Sequence, residues 1–434
     1  MRQLVLILTV CISLPAFGQW DHSLLLMRDE VQRSSLQPAF NLSNTEDGFF
    51  IATGLNFRFE HSGKGLEGTW EVEDKVLKIN TDKWVENLDP INKLNSDSEI
   101  QSFLIGWKTG NLTWTIGHSF RNQVYSKYEK GLAQFIHFGN GPYVGDTLNM
   151  GIGMDWQSYG SLHAGLSWKL KNLTVGARLH YLSGAQLLEI DPGELSLYTN
   201  EEVYQLQFTS DLNVRSASFL SAEDIDNLTF EFTGVESYQW FTRNHGFALD
   251  LGVEFQWSDR FVVEASILDM GAITWDEVQD YTTASEFEFE GIDFNEVADL
   301  DSLTFEEALD SLQDLAGVTE SSESNVTRSL SPRLMLGAHW NITDQWQLSG
   351  IYMLQSHREE ALPTYALGLR WTPFSWVTVG SNMAHRFDRL HWGMNISVQV
   401  AFARAFIATD HVPALFSLDE LGSSSIRMGG ALIF

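Results

Sequence analysis

The 434-residue sequence predicts an all-β transmembrane protein: an antiparallel barrel of about 14 strands, within a range of about 12 to 16, with a short N-terminal hatch and a few inserted helices. Three observations predict it. Apolar and polar side chains alternate strictly in many segments of about ten residues, the length that crosses a hydrocarbon layer at a tilt. The chain opens on an export signal and closes on an alternating strand that ends in phenylalanine.

Composition agrees. Lys+Arg 27 against Asp+Glu 57 gives a formal net charge of -30, which excludes a nucleic-acid partner because phosphate binding needs clustered cations. With 44% hydrophobic and 19% charged residues the chain is neither disordered nor coiled coil, and 28 Phe, 15 Trp and 34 Gly against 9 Pro lean toward a β protein.

The first element, residues 1–18, reads as a secretory signal peptide: Arg2, an apolar run from Leu4 to Phe17, then small residues Ala16 and Gly18, with cleavage expected before Gln19 or Trp20. Cys11 lies inside it, and the bulky Val10 before Cys11 argues against lipidation. The exported chain then has no thiol, so disulfides, zinc thiolates and cysteine nucleophiles are excluded. No later run of 18 apolar residues follows. Residues 19–46 form the expected hatch. Leu24, Leu25, Leu26, Met27, Val31 and Leu36 suggest a short helix running into Gln37, Pro38, Ala39 and Phe40, which either folds into the barrel mouth or extends as an exposed terminus.

Residues 47–434 carry the barrel pattern. Phe247, Leu249, Leu251, Val253, Phe255 and Trp257 share one face, against Ala248, Asp250, Gly252, Glu254 and Gln256 on the other. Leu173 to Tyr181 and Leu334 to Ile342 repeat the arrangement, and Phe49 to Phe59, Leu112 to Phe120, Trp346 to Leu354 and Leu367 to Thr378 resemble them. Connections such as Thr109-Gly110-Asn111 and Lys171-Asn172 are short enough for hairpins. Alternation fits a soluble sandwich as well as a barrel. Strand length, tryptophans near strand ends and the closing strand favour the barrel, since an apolar terminal strand left unpaired is an aggregating edge.

Three stretches break the alternation. Thr81 to Asn95 and Tyr125 to Phe138 read as helices that either line the lumen or pack on the rim. From Asp276 to Thr327 the chain has 16 acidic residues and no Lys or Arg. A β-stretch at Ser285 to Gly291 and an amphipathic helix from Phe294 to Val318 are expected there, forming a cation- or partner-docking surface or a solvated loop.

The last residues, Arg427, Gly429, Leu432 and Phe434, follow the pattern of an outer-membrane insertion signal, so the insertion machinery and outer-membrane lipid are expected partners. Together with Gln37 to Phe40, Gly139-Asn140, His245 to Phe255 and Ile267 to Trp275, this ending resembles an uncharacterised outer-membrane family of Bacteroidetes, a domain of unknown function. That family is similar to FadL-like and PorV-like barrels, which have about 14 strands and an N-terminal hatch. Gln37 departs from the Asn that related barrels carry before Pro-Ala.

No Gly-x-Ser-x-Gly, His-Glu-x-x-His or phosphate-cradling motif occurs, and the adjacent pairs His118-Ser119 and Ser356-His357 point to opposite faces of a strand. Neither catalysis, a metal nor a cofactor is expected. The expected function is binding or passage of a small amphipathic molecule through a partly plugged lumen in the cell outer membrane. Arg58, Arg178, Asp250, Glu254 and His339 would line it and residues 20–40 would gate it. The resemblance also implies an alternative, a PorV-like adaptor in a secretion or assembly complex, with the acidic segment docking its partner.

Overall fold

Alternation leaves open whether an apolar face turns inward or outward, and backbone pairing decides it. The computed structural model describes residues 22–42, 47–62, 68–73, 76–202, 205–217, 244–289, 319–357, 360–386, 389–417 and 422–434. The expected signal peptide, Trp20 and the expected helix at 294–318 lie outside the described residues.

In chain order the strands are β1 (Asp47–His61), β2 (Trp70–Glu73), β3 (Val76–Ile79), β4 (Ile91–Thr109), β5 (Leu112–Glu129), β6 (Thr147–Asn149), β7 (Ile152–Leu170), β8 (Leu173–Asp191), β9 (Leu195–Thr199) and β10 (Leu206–Ala217). There follow β11 (His245–Ser258), β12 (Phe261–Phe289), β13 (Thr319–Ser329), β14 (Arg333–Asn341), β15 (Trp346–His357), β16 (Glu360–Phe374), β17 (Val377–Arg386), β18 (Arg389–Val400), β19 (Ala403–Thr409) and β20 (Ser423–Ile433). Helices are α1 (His22–Leu26), α2 (Thr81–Asn87) and α3 (Lys130–Phe138).

Fourteen strands form one closed antiparallel ring, in the order β1, β4, β5, β7, β8, β11, β12, β14 to β20 and back to β1. β20 pairs with β1 from Phe50↔Ile433 to Glu60↔Ser423. Phe49 and Phe434 also exchange backbone hydrogen bonds of 3.0 and 2.8 Å. The ring therefore has no open edge. Leu179, Phe247, Leu367 and Trp257, 57% to 72% exposed, point away from the lumen, while Arg178, Asp250 and His339 are at most 3% exposed within it. Apolar outside and polar inside is the arrangement that lipid requires of a closed sheet.

Tight turns gather at one end. Gly110 and Lys171 take left-handed φ of 55° and 50°, and Ala401 takes 53°, so non-glycine residues close two of these turns. Aromatic pairs ring the same end: Trp107 with Trp114, Trp346 with Trp371, Phe374 with Trp376 and Phe402 with Phe434, with centroids 5.4 to 6.2 Å apart. Such a belt suits the lipid–water boundary.

The other end carries the long connections. β12 outruns the ring: its first half pairs with β11 and β14, its distal half with β10 and β13. With β6 and β9 these strands extend the wall beyond the rim, and the acidic segment emerges from this end. Of the expected β-stretch at 285–291, residues 285–289 are the end of β12, and 290–291 lie outside the described residues. The two expected helices are shorter than their sequence pattern. Residues 91–95 belong to β4 and 125–129 to β5, because these strands continue their ladder as far as Ile91 and Glu129 and backbone pairing overrides the local apolar spacing. What remains, α2 and α3, packs through Val85, Leu88 and Ala133 at the rim.

Candidate functional site

Residues 22–42 sit inside the ring. Leu24 to Leu26 make only one helical turn, α1, before Arg28 and Asp29 break it, and Val31–Ser35 forms a 3-10 turn that Pro38 cannot continue. Successive turns join Glu30 N to Met27 O (3.1 Å), Arg33 N to Glu30 O (3.0 Å) and Phe40 N to Gln37 O (2.9 Å). A non-helical segment buried in this way leaves carbonyls that must find donors. The wall supplies them: Arg178 donates from Nη1 to Ser34 O (2.8 Å) and from Nη2 to Ser35 O (2.6 Å), Ser266 Oγ to Leu36 O (2.8 Å) and Lys108 Nζ to Leu42 O (2.7 Å).

The inward face is not uniformly polar. Leu24, Leu25, Leu26, Met27 and Leu36 pack on inward Leu268, Met335, Ile351, Met353, Leu362 and Phe406. Val31, Phe40 and Leu42 pack on Phe50, Ala52, Leu104 and Ala431, with Phe40 edge-on to Phe50 at 6.4 Å. These apolar patches match the apolar residues of the inner segment, so its burial dries that part of the lumen. Glycines bring the wall close: a Cβ on Gly176 would overlap the Pro38 carbonyl, on Gly252 the Gln37 amide, and on Gly368 the Leu26 side chain.

Two charge clusters fasten the segment. On β8 and β11, Asp250 accepts from Arg178 Nη2 at 2.6 Å and contacts His180 Nε2 at 2.8 Å, while its other oxygen accepts from Asp269 N at 2.7 Å. On β12 and β14, Glu264 pairs with Arg33 of the inner segment and with His339 Nε2 at 3.0 Å. Glu254 pairs with Arg28 at 2.7 Å. Of the lumen residues expected from alternation, Arg178, Asp250, Glu254 and His339 thus surround the inner segment. Arg58 lies toward the long-connection end, bonded to Glu60 at 2.8 Å near Arg386 and His391. Gln37 Oε1 accepts from Ala39 N at 3.1 Å, which holds the Gln37-Pro38-Ala39 turn against β8 and β11. Arg427 faces the lumen, 3.9 Å from Glu99, and inward Gly429 makes room for Gln32, while Leu432 and Phe434 face outward, 41% and 61% exposed.

Alternation missed Asp269. Odd-numbered residues of β12 face lipid up to Ile267, but Asp269 takes φ 59° and turns inward, where Arg121 Nη1 and Arg333 Nε donate to it at 2.7 Å each. An aspartate interrupting Ile267, Leu268 and Met270 was its only signal.

Ser, His and carboxylate line up three times: Ser161–His180–Asp250, Ser349–His339–Glu264 and Ser423–His391–Glu60. Each carboxylate is also held by arginine, and the three hydroxyls are at most 5% exposed. Two cavities of the lumen, about 60 and 10 Å³, are lined by none of these serines. Such chains give buried polar groups most of their partners. Among the described residues no group of three His, Cys, Asp or Glu is placed to hold a metal ion.

A family model described as "Family of unknown function (DUF5723)" matches residues 38–410. No curated protein matches the chain. Among solved structures it is similar to the Pseudomonas putida toluene transporter TodX at 8% identity, covering 96% of this chain and 94% of that one with a TM-score of 0.45. The Ralstonia pickettii toluene transporter TbuX matches at 9%, covering 93% of each, with a TM-score of 0.44. A Pseudomonas aeruginosa FadL homologue matches at 9%, covering 94% of each, with a TM-score of 0.39.

Proposed function

We propose, for a chain that belongs to the family of unknown function DUF5723, a FadL-like role in the bacterial outer membrane: binding or passing a small amphipathic molecule through a lumen that residues 22–42 close. One observation carries this reading. The inner segment fills the ring but is held by side chains, through Arg178 to the Ser34 and Ser35 carbonyls and Arg33 to Glu264, and is covalently joined to β1 only at its end. Inward side chains fill a barrel of about eight strands, so a ring of 14 keeps a lumen that a separate segment has to occupy if it is to be closed. A separate segment, seated on glycines and fastened by ion pairs, is an element that can leave, and the two cavities beside it, about 60 and 10 Å³, are too small to pass a solute while it stays. The docking role expected for the acidic segment falls largely on residues 290–318, outside the described residues.

The lock is testable because Cys11 is the chain's only cysteine. Cysteines at Leu26 and Gly368, whose side-chain positions adjoin, should cross-link the segment to β16. In liposomes the oxidised double variant should lose entry of a small amphipathic dye and regain it on reduction. Equal entry in both states overturns the gating role.

A further inference from the structure

We infer that the short-turn mouth of the lumen holds a head-group site for a small ammonium-bearing solute, built by Glu30 of the inner segment. The cavity of about 60 Å³ lies between the turn Met27 to Glu30 and the mouth ends of β16 to β19, with Thr378, Ser397 and Gln399 on its wall and Trp376 at its rim. Glu30 is 2% exposed. Its Oε1 accepts from Ser397 Oγ, but its Oε2 has no hydrogen-bond partner among the described residues. A buried carboxylate oxygen left so is costly, and a cation that donates hydrogen bonds is its strongest complement.

The two guanidinium groups of the cavity do not turn it into an anion site. Arg370 is paired with the Asp29 carboxylate, and Arg404 donates to the Asp29 carbonyl and, from Nε, to Gln399 Oε1 at 3.1 Å. Asp29 and Glu30 balance Arg370 and Arg404, so the unpartnered acceptor rather than a net field selects the ligand. Burial lifts the Glu30 carboxyl above the usual range against the lowering pull of Arg404, the Ser397 hydroxyl and Arg370, while Asp29 adds to the rise. An ammonium would supply the hydrogen-bond donor that Glu30 Oε2 lacks. Met27 and Trp376 give a short alkyl tail apolar surface toward the mouth.

The site rests on the plugged-lumen reading only for the solute's route, and binding is read without flux, so a barrel that binds but passes nothing fails one and keeps the other. The probe is n-butylammonium, with n-butanol as its uncharged partner, followed by saturation-transfer NMR on the full exported chain in detergent. Butylammonium should bind and weaken as pH falls, butanol should not bind, and Glu30→Gln should lower affinity by at least about tenfold. Thr378→Leu, which fills the cavity and keeps Glu30, should do the same, with the folded barrel verified by its heat-dependent gel shift. Equal binding by Glu30→Gln, equal binding of butanol, or no binding of either probe overturns the site.

Discussion

Arg178 and Asp250 stand opposite one another in register on β8 and β11, and their side chains meet at 2.6 Å in the middle of the lumen. Both are at least 97% buried, and Arg178 spends its remaining donors on Ser34 and Ser35. The pair therefore belongs to the wall and to the inner segment at once.

Removing one partner should strand the charge of the other. Asp250→Ala leaves Arg178 and His180 without their carboxylate and should cost about 3 to 5 kcal/mol in urea unfolding from lipid vesicles. An Arg178→Met, Asp250→Leu double variant should recover only the part due to the stranded charge, because the Ser34 and Ser35 carbonyls and the Asp269 amide then lose their partners. A single variant as stable as wild type would show that the pair is hydrated.

Gly252→Val should unseat the inner segment and spare the barrel. A valine suits a strand, but its Cβ takes the space of the Gln37 amide and Pro38. Arg28 and Arg33 should become trypsin-sensitive in the folded protein, and dye entry into liposomes should rise. Unchanged cleavage would mean that the segment is not held by this contact.

Deleting Phe434 should slow closure. It removes both backbone hydrogen bonds with Phe49 and the ring stacked 5.4 Å from Phe402. The fraction of chain reaching the heat-modifiable form in vesicles should fall several-fold. A wild-type folding rate would place barrel closure elsewhere than at this end.

Leu367→Arg probes the outer face. At 67% exposure the leucine touches little protein, and in water such a change is nearly neutral. Facing lipid near mid-depth, the arginine should cost about 2 to 4 kcal/mol in vesicle unfolding. A neutral result would move Leu367 out of the hydrocarbon.

Alternation is local. Two residues apart means one face, so the run from Phe247 to Trp257 already separated lipid-facing leucines and aromatics from Asp250 and Glu254, and the apolar strand ending in Phe434 already demanded a partner. Class, hairpins and the belt of tryptophans were legible in the sequence for that reason. Which inward charges meet was not legible, because that depends on the register of neighbouring strands, on the bulge that turns Asp269 inward, and on contacts spanning hundreds of residues. Arg33 reaches Glu264 across 231 positions and Ser397 reaches Glu30 across 367. The residues of the inner segment looked alike whether exposed or enclosed. Only closure of the ring, which sets glycines 176, 252 and 368 against them and surrounds them with matching apolar side chains, decided that they lie within.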